Sequence, residues 1–147
     1  YYQNYAITLA SSKLAIADLG DLAGKKVVAF QNAKRYLGGA YRQAVAKAYY
    51  SEVDRQISQV KRLYMQRDQV VIADKHIFLY YRARVNSMDT SPRLDFHPIF
   101  KPSPYRVAFQ KASHCKDLNQ GLSWLRRTGR YQQLLQQYQW SEADKTH

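Results

Sequence analysis

The stretch from Gln69 to Arg84, QVVIADKHIFLYYRAR, decides the fold because a short apolar run stops at an acid and an amphipathic run follows. Val70 to Ile72 is a β-branched run, which is typical of a strand buried on both faces of a parallel sheet. Asp74 ends this strand and can cap a following helix. That helix is predicted because four apolar residues recur at helical spacing. They are Ile77, Phe78, Tyr81 and Val85.

Two interpretations of Asp74 follow from this strand, acid and helix. In open α/β sheets, ligands bind in the crevice beyond the carboxyl ends of the strands, where a carboxylate can hold a cationic ligand group. The same carboxylate can serve only as a helix cap, and the sequence around it favours that simpler role, since caps outnumber binding sites.

Length and charge limit the classes of protein. The 147 residues, 46% of them hydrophobic, suit one cored domain with an appendage. The net charge of +12 is compatible with nucleic acid, an anionic surface or an acidic ligand, but Lys and Arg are spread along the chain without a run of five. A solvated basic surface is therefore favoured, and nucleic acid is not expected as a partner. The start, YYQNYAITLA, lacks Met and signal-peptide features, which favours a mature or trimmed product.

A second strand, turn and helix precede the central stretch. Lys26 to Phe30, KVVAF, is the strand, and the apolar spacing from Leu37 to Ala48 predicts the helix. The turn between them, Gln31 to Arg35, places backbone N–H groups and the cations Lys34 and Arg35 where an anionic ligand group could bind. The turn is poor in glycine, so it is neither a P-loop nor a dinucleotide fingerprint.

The rest of the chain completes an α/β pattern. Strands alternate with helices, which predicts a doubly wound, mostly parallel sheet with helices on both faces. The tail from Asp117 predicts two short helices separated by Thr128-Gly129, the second with Tyr138 on its apolar face. The further strands are predicted at Tyr5 to Leu9, Tyr49 to Val53, Phe96 to Phe100 (an edge strand) and Tyr105 to Gln110.

The sequence contains no recognisable catalytic or metal-binding pattern. The four histidines are far apart and lack ligand spacing, and no nucleophile, zinc or paired-carboxylate motif occurs. His114 and Cys115 are chain neighbours, which seldom face each other as a catalytic pair. We therefore expect a protein that is not an enzyme and that uses neither a metal nor a cofactor.

Four stretches resemble the periplasmic solute-binding proteins of the polar amino-acid class, which serve ABC transporters and also occur as sensor modules. The one with the most specific motif is DLNQGLSWLRRTGRYQQLLQQY, which ends in Leu-x-x-x-Gly-x-Tyr. The other three are DLAGKKVVAFQ, RDQVVIADKHIFLYY and YRVAFQK. The resemblance implies a type II periplasmic-binding-protein fold, of which the chain supplies lobe two and the C-terminal helices. Residues 1–111 correspond to the ligand-binding lobe and residues 112–147 to helices of lobe one, whose bulk is not represented.

The resemblance also implies a binding role. Asp74 corresponds to the acid that pairs with the ligand's α-ammonium group, and Gln31, Asn32, Ala33, Lys34 and Arg35 correspond to a ligand-contacting loop. Its larger cationic side chains point either to an acidic solute or to a loss of amino-acid recognition. The implied function is uptake of a polar amino acid or related solute by hinge closure, in the periplasm, with an ABC-transporter permease as partner. Self-association through the C-terminal helices is a further expectation, and a sensory module without transport is the alternative.

Overall fold

The computed structural model describes residues 2–137 and divides the chain into two compact units. Tyr2–Ser103 forms the larger unit, and the smaller one begins at Pro104. The sequence analysis placed the corresponding boundary between 111 and 112, because it counted Tyr105 to Gln110 as a strand of the lobe. The predictions that involve Tyr138 and the residues after it lie outside the described part of the chain.

The larger unit alternates strands and helices, as the sequence pattern predicts. Its strands are β1 (Asn4–Leu9), β2 (Lys26–Phe30), β3 (Tyr49–Val53), β4 (Val70–Asp74) and β5 (Leu94–His97). Its helices are α1 (Ala33–Tyr36), α2 (Gly38–Val45), α3 (Gln56–Tyr64) and α4 (Lys75–Arg82), with short 3-10 turns at Ala10–Ser12 and Gly20–Leu22.

The five strands form one open, mixed sheet in the order β3-β2-β4-β1-β5. Strand β2 runs parallel to both β3 and β4, whereas β1 is antiparallel to its neighbours β4 and β5. The predicted α/β fold is therefore confirmed, with β1 as the strand that runs against the others. The carboxyl ends of β2, β3 and β4 consequently lie along one edge of the sheet.

Hydrophobic residues of the central strands are buried on both faces of the sheet. Val70, Val71 and Ile72 are each 0% exposed, which confirms the prediction that the apolar run is a fully covered strand. On one face the core includes Tyr41 of α2, and on the other it includes Phe78 of α4. The helices thus cover both faces and leave the carboxyl edge to polar residues.

Two predicted strands differ from the structure. The edge strand is Leu94–His97, earlier than predicted, and it ends before Pro98, which has no N–H to give to a ladder. The strand predicted at Tyr105 to Gln110 is wrong. Val107 is 63% exposed and Phe109 39%, so the alternating side chains cover no core, and the segment forms no ladder in the described structure.

The smaller unit consists of the helices α5 (Ala112–Arg127) and α6 (Arg130–Gln137). Gly129, with φ of 74°, separates them, which confirms the predicted glycine stop between two helices. Neither helix has a buried residue among those described, and Trp124 is 48% exposed. Their apolar residues therefore cover no core of their own.

Within residues 2–137, every helix is too short or too polar to cross a lipid bilayer.

Candidate ligand-binding site

Asp74 is the last residue of β4 and the cap of α4, and the residue is 5% exposed. One oxygen, Oδ1, accepts hydrogen bonds from the backbone N–H groups of His76 at 2.9 Å and Ile77 at 3.0 Å. The other, Oδ2, accepts one from the backbone N–H of Gln3 at 3.2 Å. The local sequence explains the first two bonds, since an acid directly before a helix satisfies the N–H groups of the first turn.

The contact with Gln3 comes from β1, whose start lies beside the end of β4. Register pairs Asn4 with Asp74, so Gln3 is the next residue along. The Gln3 side chain is held as well: its Nε2 donates to the carbonyl of Phe100 at 3.1 Å, and its Oε1 accepts from the Tyr5 hydroxyl at 3.1 Å. The Asp74 carboxylate is therefore held both by the first turn of α4 and by the residue that precedes β1, which pre-organises it.

These donors leave the Asp74 carboxylate with spare capacity. A carboxylate offers about four lone-pair positions, and donors of the described residues use three of them. Partial burial raises the pKa of the nearby Tyr5 hydroxyl, and the negative charge of Asp74 raises it further. The carboxylate thus caps α4 and has about one lone-pair position that these three donors do not use.

The turn between β2 and α1 lies at the same edge, beside the end of β4. Gln31, Asn32, Lys34 and Arg35 are exposed there, whereas Ala33 is buried and packs in the core. Asn32 takes the left-handed conformation, with φ of 64°, which an asparagine adopts more readily than most residues. The structure therefore brings the predicted turn and Asp74 to one edge, with Ala33 as part of the core.

The N–H groups of this turn have a partner that the sequence analysis missed. Glu52, on β3, accepts from the backbone N–H of Asn32 at 2.7 Å through Oε2 and from that of Lys34 at 3.1 Å through Oε1. Two of the N–H groups that the sequence offers to an anionic ligand group thus donate to a carboxylate of the protein itself. The sequence indicates this role only weakly, through an acid near the end of a predicted strand. The register of the sheet is needed to show that this acid contacts the turn after β2.

The surroundings of Glu52 stabilise its charged form. Its Oε1 also accepts from the Tyr50 hydroxyl at 2.8 Å, and the Lys34 ammonium lies 4.5 Å from the centroid of the Tyr50 ring. Partial burial acts to raise the pKa of Glu52, but the hydrogen bonds and the charge of Lys34 outweigh it and lower the pKa. The pKa of the Tyr50 hydroxyl is raised, chiefly by burial.

Lys75 follows Asp74 in the chain and begins α4. It is 8% exposed, and its ammonium lies 4.8 Å from the centroid of the Phe96 ring. Within residues 2–137, no cluster of three or more His, Cys, Asp or Glu side chains could hold a metal ion.

The larger unit has the lobe fold of type II periplasmic-binding proteins. An ancestral arginine-binding protein bound to glutamine matches with a TM-score of 0.64 and 17% identity, over 95% of this chain and 60% of that one. A Streptococcus pneumoniae amino acid ABC transporter substrate-binding protein bound to L-arginine matches at 0.63 and 15%, over 92% and 56%. An ancestral cationic amino acid solute-binding protein matches at 0.64 and 15%, over 93% and 58%.

These similarities show the fold, and the chain spans 60% or less of the length of each of these structures. No protein-family model matches the sequence, and a search of curated proteins gives no match.

Proposed function

We propose that this chain is a solute-binding module that binds a polar amino acid, or a related solute, by closure around the ligand and without bond chemistry. The observation that carries the proposal is the position of the Asp74 carboxylate. It lies at the carboxyl edge of the sheet, where ligands bind in open α/β folds, and it is held by three backbone N–H groups. The amino-acid ligands of the similar structures support this class of ligand.

In this proposal, Asp74 accepts a hydrogen bond from the ligand's α-ammonium group. A hydrogen bond between two ionised groups is stronger than one between neutral groups, and burial of the carboxylate increases its strength. Because backbone N–H groups already fix the carboxylate, the Asp74 side chain loses little conformational entropy when the ligand binds. Gln31, Lys34 and Arg35 are exposed at the same edge and contact the rest of the ligand.

The domain assignment belongs to the same proposal. Residues 1–111 form the ligand-binding lobe, and residues 112–147 are helices that belong to a second lobe. The exposed apolar residues of α5 and α6 support this assignment, because a helix with no buried residue lacks the packing that stabilises most helices. The permease of an ABC transporter is the proposed partner and the periplasm the proposed location. Self-association through these helices is the alternative use of the same apolar residues.

Titration of the ¹⁵N-labelled chain with L-arginine, L-glutamine and L-glutamate, followed by nuclear magnetic resonance, tests the proposal. Amide shifts are expected at Gln3 and at His76 and Ile77, which donate to Asp74. The N-acetyl derivative of each amino acid serves as the matched control ligand, since it lacks only the ammonium group. We expect at least about tenfold weaker binding of the derivatives, because a charge-assisted bond is lost.

The variant Asp74→Ser separates binding from capping. Serine keeps a side-chain oxygen that can cap α4 but removes the negative charge. Loss of amino-acid binding in a folded Asp74→Ser chain supports the proposed role. Equal binding of the free and N-acetylated ligands, or unchanged affinity in Asp74→Ser, would remove Asp74 from the site.

A further inference from the structure

Glu52 fills the position at the turn between β2 and α1 that an anionic ligand group would otherwise use. Its two oxygens accept from Asn32 N, Lys34 N and the Tyr50 hydroxyl, at 2.7, 3.1 and 2.8 Å. Donors of the described residues thus use three of the roughly four lone-pair positions of the carboxylate. A ligand carboxylate could reach these two N–H groups only by displacing Glu52.

Glu52 also faces the same side of the sheet as Asp74. Ala29 of β2 pairs with Glu52 on one side and with Ile72 on the other, and paired residues of neighbouring strands point to one face. Asp74 follows Ile72 by two residues, so its side chain lies on that face too. The strands that carry the two acids are two strand spacings, or about 10 Å, apart. Glu52 therefore belongs to the edge that contains the proposed ammonium site.

The ammonium of Lys34 is not an open anion site. Lys34 stacks on the Tyr50 ring and its charge acts on Glu52, so a protein carboxylate already lies beside this ammonium. The backbone N–H of Arg35 is also in use, since it donates to the carbonyl of Asn32 at 2.9 Å, while the Arg35 side chain is exposed. A second anion brought to the turn by a ligand would meet the negative charge of Glu52 at short range, where like charges repel.

The geometry points to Glu52 as a specificity-determining residue: it closes the backbone N–H groups of Asn32 and Lys34 to anionic groups, so that the site accepts amino acids with neutral side chains in preference to acidic ones. This inference rests on the proposed function and deepens it by naming the substrate class. It reverses the expectation that Lys34 and Arg35 select an acidic solute.

L-Glutamine and L-glutamate are the matched probes, because they share their shape and their α-groups and differ in side-chain charge. For the wild-type chain, we expect glutamate to bind at least about fivefold more weakly than glutamine, the order expected for an unfavourable charge contact in a partly exposed cleft. In Glu52→Gln, which keeps the side-chain length, this ratio should fall to below about twofold. In Glu52→Asp, which keeps the charge, glutamate should remain the weaker ligand.

Asp54→Asn is the control variant. Asp54 is exposed and directly follows β3, and the substitution removes one negative charge, as Glu52→Gln does. The Asp54 carboxylate, however, accepts from the backbone N–H of the next residue, Arg55. The glutamine-to-glutamate ratio should change by less than about twofold in this variant.

The outcomes separate this inference from the proposed function. Binding of glutamine and glutamate with equal affinity by the wild-type chain overturns the role of Glu52 but leaves amino-acid binding intact. An unchanged ratio of glutamine to glutamate affinity in a folded Glu52→Gln chain also overturns the role of Glu52 and leaves amino-acid binding intact. Absence of binding by all three amino acids overturns both proposals.

Discussion

A carboxylate near the end of β4 and one near the end of β3 each accept hydrogen bonds from backbone N–H groups at the start of a helix. Asp74 accepts them from α4, and Glu52 accepts them from the turn that leads into α1. Asp74 bonds to residues two and three positions ahead, whereas Glu52 bonds to residues 20 and 18 positions earlier in the chain. Asp74 is almost fully buried, while Glu52 is partly exposed.

This difference shows how one chemical arrangement can serve two purposes. A local cap such as Asp74 forms with its helix, and the sheet then holds it from the other side through Gln3. A cap from a neighbouring strand, as at Glu52, depends on strand register, and water can replace it when the carboxylate is removed. In the proposed binding module, burial makes Asp74 a fixed point for binding, and partial exposure makes Glu52 suited to selection among ligands.

Removal of the Asp74 carboxylate has the largest expected effect. Asp74→Ala leaves the first turn of α4 without its cap, which costs about 1 kcal/mol. It also leaves the partly buried backbone N–H of Gln3 without this acceptor, which costs about 1 kcal/mol more. We expect the free energy of unfolding to fall by about 2 to 3 kcal/mol. Urea denaturation monitored by circular dichroism measures it.

Asp74→Ser is the matched control for this prediction. It retains an oxygen for His76 N and Ile77 N and loses the acceptor of Gln3 N, so its cost should be about 1 kcal/mol. If Asp74→Ala and Asp74→Ser are equally stable, the cap of α4 contributes nothing to the free energy of unfolding. The description of Asp74 as a stabilising local cap would then be wrong.

Removal of the Glu52 carboxylate is expected to cost less. In Glu52→Ala, the N–H groups of Asn32 and Lys34 lose their acceptor, but they belong to exposed residues and water can replace it. We expect a loss of about 1 kcal/mol in the free energy of unfolding, measured by the same urea titration. A loss as large as that in Asp74→Ala would show that the turn depends on Glu52 as strongly as α4 depends on its cap.

The two strand ends also show what the sequence could predict. The cap of α4 was predictable because strand, acid and amphipathic helix follow each other within the stretch from Gln69 to Arg84. The role of Glu52 was not, because it requires knowing that β3 lies beside β2 and that Glu52 pairs with Ala29. The run YYSEV predicts a strand but contains no information on its register.

The sequence's lack of information on strand neighbours also explains why the strand predicted at Tyr105 to Gln110 was wrong. Alternating apolar residues indicate that a strand can form, but a strand exists only where a neighbour accepts its hydrogen bonds. The described residues provide no such neighbour there, and Val107 and Phe109 remain exposed. Val70 to Ile72 was predicted correctly because consecutive β-branched residues require cover on both faces, and α2, α3 and α4 provide it.

The pH dependence of stability is the smallest expected effect and tests Glu52 alone. The pKa of Glu52 is lower in the folded chain than its ordinary value of 4.5. Its contribution to the free energy of unfolding is therefore complete above about pH 4.5 and is lost as the pH falls through the folded-state pKa. Asp21 and Asp89 also have lowered pKa values, chiefly because backbone N–H groups donate to them, so the wild-type chain loses stability in acid for several reasons. Glu52→Gln isolates one of them: between about pH 5 and 3, its free energy of unfolding should fall less steeply than that of the wild-type chain. Tyr50→Phe, which removes only the hydroxyl donor of Glu52, should give an intermediate slope. Parallel curves for all three chains would mean that the Glu52 carboxylate is no better held in the folded turn than in the unfolded chain.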